Sequence, residues 1–178
     1  MDDLVVFILS HGRANNIYTL KSLRKHGYTG KVVFVIDNED DQADEYYNKF
    51  ENVEMFNKKE IAKTFDEGDN FEDRRAIIYA RNACFKIAEK LGYKYFIELD
   101  DDYTGFDYRL YSEEKSKPST VYSLDSIFLS LLEFYKSTNF VTLSIAQGGD
   151  FIGGKHNDMA KKPTLFRKCM NSFLCSTD

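Results

Sequence analysis

Apolar and polar residues along this chain fall into short runs that alternate in kind. Leu4-Val5-Val6-Phe7-Ile8-Leu9 is apolar at every position, as expected of a strand covered on both faces of a sheet. Past the loop Ser10-His11-Gly12-Arg13, Asn15 or Asn16 is placed to cap a helix reaching about His26, with Ile17, Leu20 and Leu23 inward. Gly27 closes that helix and Gly30 turns the chain. Lys31 to Asp37 is a second apolar strand that ends in an acid, and it is followed by a polar helix over 40–50 and a short strand at Val53–Phe56. Residues 57–73 are charged and mixed, with a short helix near Ile61–Phe65 and a loop around Gly68. A long helix is predicted from about Glu72 to Leu91, stopped by Gly92, and then a fourth strand over Tyr93–Leu99.

The second half is less regular. Residues 104–120 are polar, include Pro118 and read as a loop. Ser123 caps a helix with Leu124, Ile127, Phe128, Leu131 and Tyr135 inward, and Phe140–Ala146 reads as a fifth strand. The glycine-rich stretch 147–154 reads as a loop or hairpin. The basic tail beyond it has only Phe166, Met170, Phe173 and Leu174 as apolar anchors. Strands alternating with helices predict an α/β fold, with a mainly parallel sheet and helices on both faces.

A length of 178 residues suits one domain with a real core. A net charge of −5 rules out a global attraction to nucleic acid or anionic membrane. A local basic groove stays open. The pairs Lys58-Lys59, Arg74-Arg75, Lys161-Lys162 and Arg167-Lys168 are ordinary solvated surface unless several share one face. Cys84, Cys169 and Cys175 are odd in number and form no CxxC pair, which points to reduced thiols in a cytoplasmic protein. Asp2 and Asp3 before a short apolar run do not suit a signal peptide, and no stretch is long enough to span a membrane.

In a sheet of this kind ligands sit at the carboxyl ends of the strands. The polar signals converge there: Ser10-His11-Gly12-Arg13 after the first strand, Asp37 after the second, and Asp100-Asp101-Asp102 after the fourth. Alternation along a strand sends Asp100 and Asp102 one way and Asp101 the other. Two aligned carboxylates repel unless water or a cation lies beside them, and Mg²⁺ or Mn²⁺ shares a few carboxylates with substrate phosphates. The alternative is a solvated acidic turn. On the long helix, Ile77, Ala80, Cys84, Ile87, Ala88 and Leu91 share a face, and Arg81 falls inside that stripe with Arg74 on the same side. An inward guanidinium needs a partner, either a phosphate or an acid such as Asp100 or Asp37. Gly12 lets the backbone approach a ligand and Arg13 meets an anion, although a simple strand-to-helix turn explains the glycine equally well. His11 reads as a hydrogen-bonded loop residue. Asp37 is placed to accept from a base or ribose, or from its own turn. Asp150 is a weak candidate for a proton acceptor, a turn role being commoner for an Asp after Gly-Gly.

Together the Ser10–Arg13 loop, Asp37, Ala80-Arg81-Asn82 and the Asp triplet resemble the GT-A glycosyltransferases, whose DxD motif the triplet matches. Gln147-Gly148-Gly149-Asp150 and Met170-Asn171-Ser172-Phe173 make the chain look, more narrowly, like the phage-type TET-associated glycosyltransferases of DNA base hypermodification. The resemblance implies a GT-A-like domain over 1–178, with a nucleotide-binding half over 1–102 and a partial acceptor-side region over 103–178. It implies a metal ion, Mn²⁺ or Mg²⁺, on Asp102 and Asp100. A nucleotide-sugar donor, expected to be a UDP-sugar, lies against Ser10, His11, Gly12, Arg13, Asp37, Arg81, Asp100 and Asp101. The acceptor is a hydroxyl, expected on a hydroxymethylated base in phage DNA within the host cytoplasm, with no membrane partner. In that group the chain continues into a segment with an acidic pair, so the resemblance also implies a C-terminal truncation and a catalytic base beyond Asp178. Two other readings compete. Asp100-Asp101-Asp102-Tyr103-Thr104 also resembles the nucleophile motif of haloacid-dehalogenase-type phosphatases, with Asp100 attacking. An inactive nucleotide- or DNA-binding module is the third.

Overall fold

In the computed structural model, which describes residues 2–68, 77–111, 116–151 and 171–178, the elements follow one another in a nearly regular alternation. The chain runs β1 (Leu4–Leu9), α1 (Thr19–Lys25), β2 (Val32–Asp37), α2 (Ala43–Lys49), β3 (Val53–Phe56), α3 (Lys58–Ala62), α4 (Ile78–Leu91) and β4 (Tyr95–Asp100). It continues through β5 (Asp107–Tyr111), β6 (Ser116–Thr120), α5 (Leu124–Lys136), β7 (Leu143–Ser144), a 3₁₀ turn (Gly148–Phe151) and β8 (Phe173–Ser176).

β1 and β2 are buried at every position. A strand shielded on both faces must satisfy its backbone groups along both edges. β1 does so between β2 and β4, parallel to each, with Leu9 opposite Val35 and Asp100. The full order is β3-β2-β1-β4-β8-β7, with β8 antiparallel to both of its neighbours. Successive residues of β1 serve opposite layers. Leu4, Val6 and Ile8 pack with Leu23, Tyr46, Leu124, Phe128 and Leu132 from α1, α2 and α5. Val5, Phe7 and Leu9 pack with Ile61, Tyr79, Ala83, Cys84 and Ile87 from α3 and α4. The result is the expected α/β arrangement, a mostly parallel sheet between two helical layers.

Several local expectations shift. The first helix begins at Thr19 without a side-chain cap. Its entry is set instead by the Tyr18 and Thr19 amides, which donate to the Asp101 carbonyl oxygen, while Asn15 turns its amide to Glu45. The buried stripe of α4 includes Tyr79 and Ala83, whereas Ile77 and Leu91, expected inward, are exposed. The expected first turns of that helix, with Arg74, lie outside the described residues. Ser123 does cap α5, accepting from the Ser126 amide. Its buried side chains include Leu132, with Ile127 and Leu131 only partly covered.

The stretch expected to be a loop over 104–120 forms the β5–β6 hairpin as a separate two-stranded sheet. Pro118, paired with Arg109 in that ribbon, does not break it, because an outward-facing edge position needs no N–H donor. The predicted fifth strand shrinks to Leu143–Ser144. The place next to β4 is taken by β8, from the tail that periodicity left unassigned. Lys161-Lys162, Arg167-Lys168, Cys169, Phe166 and Met170 lie outside the described residues.

Candidate active site

The carboxyl ends of β1, β2 and β4 open onto a cleft of about 460 Å³. Ser10, His11, Arg13, Asp37 and all three carboxylates of Asp100-Asp101-Asp102 line it, with Lys58 and Phe56 at the β3 side and Tyr79 and Ala80 from α4. Chain segments distant in sequence arrive together because parallel strands all end on the same edge.

The triplet divides its labour. Asp101 is buried. Its carboxylate accepts from Ser10 Oγ at 2.6 Å and from Arg13 Nη1 at 2.8 Å. Ser10 is itself held by the Tyr46 hydroxyl at 2.6 Å. The Asp101 contact raises the pKa of the Arg13 guanidinium, chiefly through that hydrogen bond, so Arg13 stays charged at the cleft mouth. Asp102 is 60% exposed and lies 3.8 Å from Arg13 Nη1. Asp100 is partly exposed; its Oδ2 accepts from Asn171 Nδ2 at 2.9 Å and its Oδ1 faces Arg81 Nη2 at 3.6 Å. The turn that carries them is tied to α1. Thr19 Oγ1 donates to the Asp100 carbonyl oxygen at 2.6 Å and accepts from the Tyr103 amide at 2.8 Å.

Arg81 therefore lies on the flank of the triplet, with its guanidinium carbon 4.7 Å from the centre of the Phe173 ring. Of the two partners open to it in the sequence, Asp100 is the one it meets. Beneath it, Glu98 is 2% exposed, and Oε1 of its carboxyl has no hydrogen-bond partner. Burial pushes the Glu98 carboxyl up to about 8, against the pull of nearby Arg81 and a hydrogen bond from Cys84. An acid pointing into the helix layer directly under the site was not singled out from the sequence, because Glu98 stands in an otherwise apolar strand.

At the β2 end, Gly12 adopts φ +66° and its amide donates to Asp40 Oδ2 at 2.8 Å. A residue with a Cβ is strained in that left-handed conformation. Asp37 is buried. Its Oδ2 meets His11 Nδ1 at 2.7 Å, and its Oδ1 meets Lys58 Nζ at 3.0 Å and the Glu39 amide at 3.0 Å. Lys58, taken from its sequence as solvated surface, is buried in the cleft wall. Its position immediately after β3, at the ligand edge of the sheet, was the available signal.

Asp150 does not line this cleft. Its Oδ2 accepts from the Gln147 amide at 2.8 Å, closing the 3₁₀ turn. That turn borders a second cavity of about 280 Å³, lined by Tyr103, Phe106, Tyr108, Arg109, Gln147 and Ser172 among others. Ser172 Oγ joins its walls, bonding the Tyr103 hydroxyl at 2.8 Å and accepting from Gln147 Nε2 at 3.1 Å. Burial pushes the Tyr103 phenol up to about 12. Ser172 holds φ 63°, an uncommon conformation for a residue with a Cβ. Asn171 and Ser172, just before β8, and Phe173 at its start thus hold Asp100, the wall of the second cavity and Arg81 in turn. Periodicity could not find them, since they sit in the unpatterned tail.

A mostly parallel sheet with acids and guanidiniums gathered at the carboxyl ends of its strands is a GT-A-like α/β fold. The chain belongs to the TET-associated glycosyltransferase family, whose model matches residues 4–178. It is a glycosyltransferase, and membership implies a nucleotide-sugar donor. The phosphatase reading of Asp100 is thereby set aside. No curated protein and no solved structure is significantly similar to the chain. Among the described residues, no helix is long and apolar enough to cross a membrane.

Proposed function

We propose that the protein is a metal-dependent glycosyltransferase that moves a sugar from a UDP-sugar to the hydroxyl of a hydroxymethylated base in DNA, in the cytoplasm of a phage-infected host. The observation that carries this reading is that Asp100 and Asp102 line one cleft with Arg13, while Arg81 approaches Asp100 from its flank.

A hard divalent ion needs only one or two carboxylates when phosphates and water complete its shell. Among the described residues, no group of three or more His, Cys, Asp or Glu side chains is arranged to hold an ion alone. The shared pattern suits the site. Asp102 is 60% exposed and Asp100 28% at the side chain, so both offer oxygens toward the cleft. These two residues would hold Mn²⁺ or Mg²⁺. When bound, the ion offsets the charge that grows on the diphosphate leaving group. Arg13 and Arg81 add fixed positive charge on the two flanks of the triplet, already oriented by Asp101 and Phe173. Ser10 and Gly12 supply a loop that brings the backbone close to the nucleotide. Deprotonating the acceptor requires a base, and Asp150 is a candidate only if it leaves the Gln147 amide.

The acceptor is assigned to the second cavity. Tyr103 follows Asp102 directly, so this space adjoins the triplet. Its rings Tyr103, Phe106 and Tyr108 suit stacking against a base taken out of a helix. Buried Cys84 and Cys175, neither in a disulfide, fit a reducing compartment.

Calorimetric titration of UDP in the presence of Mn²⁺ tests the donor half. Binding is expected with the native chain and a loss of at least about tenfold with Asp102→Ala. Metal-indifferent or absent binding refutes it. Transfer of labelled sugar to hydroxymethylated duplex DNA tests the acceptor half; nucleotide binding with no product would leave a binding module.

A further inference from the structure

We propose that Tyr46, a buried residue of α2 that does not line the cleft, positions Arg13 for the donor's phosphates by holding both ends of that arginine. The inference rests on the donor assignment above.

Tyr46 is 0% exposed, and its ring packs beside Phe50 in the helical layer. A phenylalanine would fill that space equally, so packing does not call for the hydroxyl. The hydroxyl reaches instead to the loop after β1. There the Arg13 amide donates to it at 3.0 Å, and Ser10 Oγ lies 2.6 Å away. Ser10 has a single proton, which it donates to Asp101 Oδ2 at 2.6 Å. Tyr46 is therefore the donor to Ser10. Burial raises the pKa of the Tyr46 phenol, so that proton stays in place at neutral pH. Asp101 Oδ1 in turn accepts from Arg13 Nη1 at 2.8 Å. The bonds close a ring: Arg13 amide to Tyr46, Tyr46 to Ser10, Ser10 to Asp101, and the Arg13 guanidinium to Asp101.

The Arg13 side chain is 51% exposed, and an arginine so placed ordinarily samples many rotamers. Ordering it on binding lowers affinity unless the fold has ordered it already. Asp101 alone fixes the tip of the side chain. Tyr46 fixes its backbone origin directly, and its tip through Ser10 and Asp101. A hydroxyl that acts only through Arg13 has nothing left to act on once the guanidinium is removed.

The test titrates UDP with Mn²⁺ into the native chain, Tyr46→Phe, Arg13→Ala and the double variant, with thermal melts as a folding control. Arg13→Ala is expected to weaken binding about tenfold or more, and Tyr46→Phe about three- to tenfold. The double variant is expected to bind within about twofold of Arg13→Ala. A tyrosine that only stabilised the fold would lower the melt and leave the affinity of the folded chain unchanged. Hydrogen exchange at the Arg13 amide of the native chain needs no variant and decides the matter if Tyr46→Phe does not fold. Slow exchange is expected there; exchange as fast as in an open loop overturns the inference. Native affinity in Tyr46→Phe or in Arg13→Ala, or losses that multiply in the double variant, overturn it too. Each of these leaves the donor assignment standing. If UDP does not bind the native chain, the donor assignment falls and this inference falls with it.

Discussion

Replacing Glu98 by Met isolates the cost of an acid buried under the triplet. The side chain is 2% exposed, Oε1 has no hydrogen-bond partner, and burial lifts its pKa from 4.5 to about 8. A raised carboxyl pKa means the folded state keeps the proton while the unfolded chain releases it. Below pH 4.5 both states are protonated and the group costs nothing through linkage. Between 4.5 and about 8 the unfolded state alone ionises, so native stability falls as pH rises, by about 1.4 kcal/mol per unit. At pH 7 the loss is of order 3 kcal/mol relative to acid conditions. Methionine is close in volume, unbranched and does not titrate. Urea unfolding from pH 5.5 to 8, in chelator and without nucleotide, should show native stability sloping downward relative to Glu98→Met. The comparison of slopes does not depend on any constant packing difference between the two chains. Parallel slopes over that range would refute both the buried, protonated state and its origin in desolvation.

Chelation should abolish sugar transfer and added Mn²⁺ restore it, with Asp102→Asn inactive yet melting within about 0.5 kcal/mol of the native chain, since its side chain is 60% exposed. Ser10→Ala leaves buried Asp101 with one donor fewer and should cost about 1–3 kcal/mol in urea unfolding, while raising the KM for the donor through a loosened Arg13. Asn171→Ala frees Asp100 Oδ2 and should lower donor turnover about tenfold with little change in the melt. Gly27→Ala places a Cβ 2.4 Å from the Tyr122 carbonyl oxygen at φ +78°, and its thermal melt should fall by the equivalent of about 2 kcal/mol or more.

Local pattern carried most of the first half of the chain. The apolar run Leu4–Leu9 is β1 to the residue, and Val53–Phe56 is β3. Asp100 ends β4, so the triplet falls at the ligand edge that the strand–helix alternation implies. Arg81 was legible as an inward charge because helical period alone places it among apolar neighbours. The choice between a phosphate and an acid as its partner was not legible, and tertiary packing put Asp100 beside it. Lys58 reads in isolation as a surface lysine; only the parallel pairing of β2 with β3 brings its ammonium to Asp37.

The tail shows the limit most plainly. Phe173–Ser176 is too short for its period to announce a strand, and its place beside β4 comes from pairing with residues such as Phe96 and Ile97. The Asn171–Asp100 and Ser10–Asp101 bonds join residues 71 and 91 positions apart. Amino-acid order along the chain encodes which side of an element shuns water, because that preference belongs to each side chain and its near neighbours. It does not encode which distant group answers a buried charge, because that depends on how the finished layers pack.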